Sequence, residues 1–249
     1  MLSRSFKNKI DTVADFLFPR RCLYCGSINP KGIYKHICGN CATTAMLCTG
    51  GRCLTCGEII GGKDSPNVRS CPKCFDIKTA YKEALCPTVF DGAIKQLAHA
   101  LKYASAPYAA ADLAKFALGH PDTRKFIIGA TIVPVPLHWL RKFKRGYNQT
   151  EIIAEQIARI APDLNIKIAD ILRRTRRTST QTKLSREERM ENIKGAFAVK
   201  KNAILPPKDA AIVLLDDVMT TTATINECAK TLKRAGFKNI RAFAVAKKI

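Results

Sequence analysis

Residues 213–229 read VLLDDVMTTTATINECA. An apolar strand pattern ends in two acidic residues, Asp216 and Asp217. A hydroxyl-rich stretch, Thr220, Thr221, Thr222, Ala223 and Thr224, then leads into a segment with helical spacing. The preceding AAIVLL is a continuous apolar run, of the kind buried on both faces of a parallel sheet. In such sheets ligands gather at the carboxyl ends of the strands. The free N–H groups and positive dipole end of the following helix suit a phosphate. The carboxylates would repel that phosphate, but they can accept hydrogen bonds from sugar hydroxyls. Two readings stand at this point: a loop that holds a sugar phosphate by both ends, or a solvated acidic turn before a capped helix.

The surrounding chain alternates in the same way. Ile94, Leu97, Ala98 and Leu101 make one helix face, and PYAAADLAKFAL predicts a second helix. ATIVPVP reads as a short buried strand, Ile152, Ile153, Ile157 and Ile160 as a helix face, TINECAKTLKRAGF as a helix closed by Gly236, and IRAFAVAKK as a last strand. Strands alternating with helices predict an α/β fold with a mainly parallel sheet over residues 80–249.

The N-terminal third differs. Four C-x-x-C pairs follow one another: Cys22 and Cys25, Cys38 and Cys41, Cys53 and Cys56, Cys71 and Cys74. A turn at this spacing points both thiolates at one tetrahedral ion. Twelve residues separate the first pair from the second and fourteen the third from the fourth, as in two zinc ribbons in tandem over residues 19–76. One or two zinc ions are expected, with His36 a possible substitute ligand. Cys48 and Cys86 lie outside the pattern, and Cys228 reads as a small core residue. The region has few bulky apolar residues, so metal binding supplies much of its folding free energy.

The 249 residues are 47% hydrophobic, enough for a proper core, and carry 42 Lys and Arg against 20 Asp and Glu. The net charge of +22 points to polyanionic partners. Residues 1–18 lack a signal peptide's apolar run, and Ile10, Val13, Ala14 and Leu17 predict a short amphipathic helix instead. No apolar run is long enough to span a bilayer. A cytoplasmic protein without membrane insertion is expected.

Residues 141–208 hold 17 Lys and Arg against 7 Asp and Glu, nearly half of the excess charge. Arg141, Lys142, Lys144 and Arg145 precede RGYNQ. Arg173, Arg174, Arg176 and Arg177 lie among hydroxyl residues in a segment expected to be a mobile loop near the site. Closing over pyrophosphate and holding a nucleic-acid backbone compete as its role with a plain solvated charge run. Trp139, Phe143 and Tyr147 recur at four-residue steps beside these charges, a pattern that suits single strands or, equally, hydrophobic packing.

The acidic pair and threonine stretch resemble the phosphoribosyl-pyrophosphate (PRPP) signature of type I phosphoribosyltransferases. VPVPLHWLRKFKRGYNQTE (133–151), RRTRRTSTQTKLSREERMENIKGAF (173–197) and LAHALKY around Lys102 look like the narrower ComF family. That resemblance implies an N-terminal zinc ribbon joined to a phosphoribosyltransferase-like domain, and a link to DNA uptake in natural transformation. It implies that Asp216 and Asp217 hold the ribose of PRPP, bound with Mg²⁺, and that residues 220–224 hold the 5′-phosphate. It makes Val135, Pro136, Leu137 and His138 the pyrophosphate loop; from the residues themselves, Pro134 and Pro136 are expected to hold the strand end rigidly through an unusual peptide geometry. Gln181, Leu184, Arg189 and Asn192 match the family pattern. The expected partners are PRPP or a similar sugar phosphate, single-stranded DNA and other DNA-uptake proteins. The alternative is an active phosphoribosyltransferase with no direct DNA role. The chain departs from the family where Thr222 replaces the loop glycine. If the left-handed region is needed there, a threonine costs about 1–2 kcal/mol and Thr222→Gly tightens PRPP binding.

Overall fold

The computed structural model describes residues 19–28, 32–176 and 186–249. The helix expected over residues 1–18, together with Arg177, Gln181 and Leu184, lies outside the described residues, as does the side chain of Arg189.

The body is one parallel sheet with helices on both faces. β1 (Ala84–Leu85) and β2 (Thr88–Val89) lead into α2 (Gly92–Tyr103), α3 (Ala109–Leu118) and α4 (Pro121–Ile127). β3 (Thr131–Pro134) is followed by α5 (Trp139–Arg145) and α6 (Gln149–Ile160), then by β4 (Lys167–Ile168). After β5 (Leu172–Arg174), α7 (Arg186–Ile193) and β6 (Phe197–Val199), the chain closes with β7 (Ala211–Met219), α8 (Ala223–Arg234) and β8 (Asn239–Lys247). The strand order is β1-β8-β7-β3-β4, with β2 also on β8, and every pairing in this sheet is parallel. The first helix of the chain, α1 (Gly39–Ala42), belongs to the ribbons.

β7 is the centre, and its alternation sorts the core. Val213 and Leu215 pack with Ile94, Leu97, Leu101, Leu113, Ile153 and Ile157 of α2, α3 and α6. Ile212 and Leu214 pack with Ile225, Leu232 and Phe237 on the α8 side. The same pleat carries forward to the acidic pair, so Asp217 continues the α2 face and Asp216 the α8 face.

Three expectations need correction. The strand does not end at the aspartates: Asp216 pairs with Ala244, Val218 with Ala246 and Met219 with Lys247. The ladder to β8 outweighs the poor strand propensity of aspartate. Arg173 and Arg174 are not in a loop. They belong to β5, which pairs antiparallel with β6 as a two-stranded flap. Around Pro134 and Pro136 the peptide geometry is ordinary, with no cis bond among the described residues.

The ribbon region is fastened to the body. Leu47 bridges Thr88, Ala84 N–H donates to Leu54 O at 2.7 Å, and Tyr81 Oη donates to Thr55 O at 2.6 Å. Tyr34 stacks on Phe116 with ring centroids 3.9 Å apart. The first ribbon therefore shares the body's core, through Cys22, Ile37, Cys38 and Cys41. The second has only its own cysteines, with Ile77 packed against them. Among the described residues no helix is long and apolar enough to cross a membrane.

Candidate functional site

The eight cysteines form two sets, Cys22–Cys25–Cys38–Cys41 and Cys53–Cys56–Cys71–Cys74, each with its sulfurs within 4.8 Å of one another. Four sulfurs held about 2.3 Å from a tetrahedral ion lie about 3.8 Å apart. The sulfurs of Cys25 and Cys38 are 3.8 Å apart and those of Cys56 and Cys71 4.0 Å, so both sets fit zinc. The local chain makes this geometry. Gly26 and Gly57, at φ +75° and +72°, let their amides fold back onto the carbonyls of Cys22 and Cys53 at 2.8 Å. The N–H of Cys38 points at the Cys22 sulfur at 3.4 Å, and that of Cys71 at the Cys53 sulfur at 3.2 Å. Such bonds favour the thiolate that a metal needs. His36 is not part of a set, and its ring lies against Tyr108. The two sites differ in access: Cys25 is exposed, whereas all four ligands of the second set are buried. Cys228 is fully buried in the core, as expected.

The second cluster is at the carboxyl edge of β7 and β3. Asp216 Oδ1 accepts the N–H of Asp217 at 2.9 Å, and Asp217 Oδ1 accepts the N–H of Val218 at 2.8 Å. Lys102, at the end of α2, places Nζ 2.7 Å from Oδ2 of the buried Asp217. Burial works against the Lys102 charge, but Asp217 and then Asp216 outweigh it and hold its pKa above the ordinary value. On the other face, burial and then the Asp217 charge push the Asp216 carboxyl up to about 7. Arg145 feels Asp217, and Arg174 of the flap feels Asp216. Burial first, then Arg141, lowers Arg174 to about 10. Lys102 thus feels both carboxylates, while Arg145 feels Asp217 and Arg174 feels Asp216, from different elements.

Val135 to His138 run beside this pair, because Val135 N–H donates to Leu215 O at 2.8 Å. The Val135 carbonyl accepts Thr150 Oγ1 at 2.8 Å and Asn148 Nδ2 at 3.3 Å, which ties the loop to the start of α6. His138 is a cap: its Nδ1 accepts the N–H of Leu140 at the start of α5. The threonine stretch crosses from β7 to α8. Thr220 is exposed, Thr221 and Thr224 are half-buried, and Thr222 and Ala223 are buried. Thr222 has φ −77° and ψ −6°, an ordinary helical conformation. The expected left-handed strain is absent, because α8 begins at the next residue and Thr222 already follows its path. The Thr222 side chain makes no capping hydrogen bond, so it covers no first-turn N–H of α8. Lys247, buried at the end of β8, donates to the Thr220 carbonyl at 3.2 Å from beneath.

Helix α5 follows this loop directly. It buries none of its residues, and Arg141, Lys142, Lys144 and Arg145 make up more than half of it. Trp139 is 65% exposed and Phe143 84%, one turn apart on the same helix, so these rings are not core. Tyr147 does pack, donating from its hydroxyl to Leu101 O at 2.6 Å. Arg173 and Arg176 are exposed on and after β5. Neither the Lys102–Asp217 pair nor the role of Lys247 was legible before the fold was known. Lys102 was visible only as part of LAHALKY, and a terminal-strand lysine reads as a solvated tail. Among the described residues, the acidic pair is joined by no third metal-ligating side chain, so it forms no protein cage for a divalent ion.

Ribbons and body together define the class: a double zinc ribbon followed by a phosphoribosyltransferase-type domain. Residues 13–75 match the double zinc ribbon domain family and residues 144–249 the phosphoribosyl transferase domain family. The chain thus joins the two domain types that its motifs suggested. It is similar to competence protein F of Haemophilus influenzae, 38% identical over 129 residues, 50% of this chain and 53% of that one. The DNA utilization protein YhgH of Salmonella typhi is 28% identical over 218 residues, 85% of this chain and 90% of the relative. Competence protein ComFC of Streptococcus pneumoniae is 31% identical over 115 residues, 46% of this chain and 47% of that protein. The chain spans about half the length of the two competence proteins it matches.

Proposed function

We propose that this chain serves DNA uptake in natural transformation, as a cytoplasmic protein that works with other DNA-uptake proteins. Its body binds PRPP or a similar sugar phosphate and engages single-stranded DNA. One observation carries the proposal: the acidic pair of β7, followed by the hydroxyl-rich start of α8, acts electrostatically on Arg145 of the basic, aromatic helix α5. The names of the relatives, competence protein F and DNA utilization protein, support the biological setting.

In this reading Asp216 and Asp217 accept the ribose hydroxyls. Thr220, Thr221 and Thr224 and the first N–H groups of α8 hold the 5′-phosphate. Val135 to His138 face the pyrophosphate, which carries Mg²⁺ as its counter-ion wherever that ion is present. Arg141, Lys142, Lys144 and Arg145, with Arg173, Arg174, Arg176 and Arg177, bind DNA phosphates. Trp139 and Phe143 offer ring faces to unpaired bases.

The intact acidic pair favours a second reading, an active phosphoribosyltransferase in which pyrophosphate leaves as a nucleophile attacks the anomeric carbon. His138 is engaged as a helix cap, so the acceptor would bring its own nucleophile or base. Titrating PRPP and single-stranded DNA side by side tests the first reading. Pyrophosphate release from PRPP in the presence of candidate acceptors tests the second.

A further inference from the structure

The acidic pair poses an electrostatic problem that depends on the sugar-phosphate reading above. PRPP carries a pyrophosphate next to the ribose that the carboxylates would hold. Two aspartates there repel it unless a cation stands between them. The usual remedy is a divalent ion brought in with the ligand. This chain carries cations of its own at the pair. Lys102 Nζ is 2.7 Å from Asp217 Oδ2, with the two side chains only 20% and 7% exposed. The contact joins α2 to β7, two elements fixed by the core around Leu97, Leu101, Val213 and Leu215. Arg145 from α5 feels the Asp217 charge, and Arg174 from the flap feels that of Asp216.

We propose that Lys102 is the built-in counter-cation of the acidic pair, so that sugar-phosphate binding at this site does not require magnesium. Lys102 neutralises Asp217 and fixes its orientation, leaving the half-buried Asp216 as the principal acceptor for a ribose hydroxyl. The pyrophosphate then meets Lys102, Arg145 and Arg174 instead of two bare carboxylates. Lys102 is a positioning residue in this scheme: it acts on the sugar through Asp217. A merely structural salt bridge would fix the fold but leave the magnesium dependence of binding untouched.

The test is calorimetric titration of PRPP into the full chain, with magnesium in excess and in magnesium-free buffer. No chelator is used, so that the zinc sites keep their ions. The parent chain is expected to bind with affinities that agree within about threefold in the two buffers. Lys102→Met is expected to lose about tenfold or more without magnesium and to recover most of it when magnesium is added. Lys102→Arg keeps the charge and should behave as the parent. A parent chain that binds PRPP with magnesium and loses tenfold or more without it overturns the inference and leaves the sugar-phosphate reading standing. A folded Lys102→Met chain with the parent's magnesium response also overturns it. A parent chain that binds PRPP in neither buffer removes the sugar-phosphate reading, and the inference with it. The parent comparison decides the matter even if Lys102→Met does not fold.

Discussion

The carboxylate of Asp112, fully buried on α3, receives the backbone N–H of His36 at 2.7 Å, and its other oxygen receives that of Lys35 at 3.0 Å. Both amides belong to the loop that leads into Cys38 and Cys41. The first zinc ribbon is therefore docked on the body by its backbone, and its loss is felt in the body.

Cys22→Ser should reduce the zinc content from two ions to one, and Cys53→Ser should remove the other. Cys22→Ser also frees the 34–38 loop from Asp112. A buried carboxylate that loses such donors costs about 1.5–3 kcal/mol for each bond, so the body should melt at a lower temperature while keeping its secondary structure. Metal analysis and circular dichroism melts measure both effects. Two ions retained in Cys22→Ser would contradict the assignment of the sets.

The parts of this account that were legible in the sequence are local ones. Four C-x-x-C pairs at ribbon spacing point to zinc without further context, although the grouping into two sets of four comes from the structure, and alternating strand and helix patterns specify the sheet. The misses are long-range. Nothing within PYAAADLAKFAL singles out Asp112, because its partners lie in the ribbon. Lys102 and Asp217 meet only once α2 packs against β7. Thr222 looked strained because the loop was judged by a glycine it lacks. Its conformation is set by the early start of α8.

Thr222→Gly is accordingly expected not to tighten PRPP binding. Glycine adds backbone freedom at a helix start, with a cost of up to about 0.5–1 kcal/mol in stability and no strain to relieve. Thermal melts and PRPP titration of the variant check this. An affinity gain approaching tenfold would restore the strain argument.

The Asp216 carboxyl predicts a pH dependence. Its folded pKa, about 7, is above the ordinary carboxylate value because of burial and then Asp217. The stability it contributes is therefore complete below the ordinary carboxylate range and is lost as pH rises through about 7. Between pH 5 and pH 8 the parent should lose stability relative to Asp216→Asn. PRPP affinity should rise over the same window, because a hydroxyl donates to the ionised form. Parallel pH profiles for parent and Asp216→Asn would remove Asp216 from both roles.

Charge and stacking at α5 separate by salt. Arg141→Ala with Lys142→Ala and Lys144→Ala should weaken single-stranded DNA binding and flatten its salt dependence, because fewer counterions are released. Trp139→Ala with Phe143→Ala should weaken binding by about 1–3 kcal/mol per lost base contact and leave the slope unchanged. Fluorescence anisotropy across a salt series reads both. An unchanged affinity in both variants would place the strand elsewhere on the protein.

The central claim is that the aspartate pair of β7 is a sugar-phosphate site within a DNA-binding protein. Asp216→Asn with Asp217→Asn tests it most directly, by titrating PRPP and single-stranded DNA into the same preparation. The expected result is loss of PRPP binding with DNA binding retained or strengthened, since two negative charges are removed from a basic protein. Undiminished PRPP affinity in the doubly substituted chain would contradict the account.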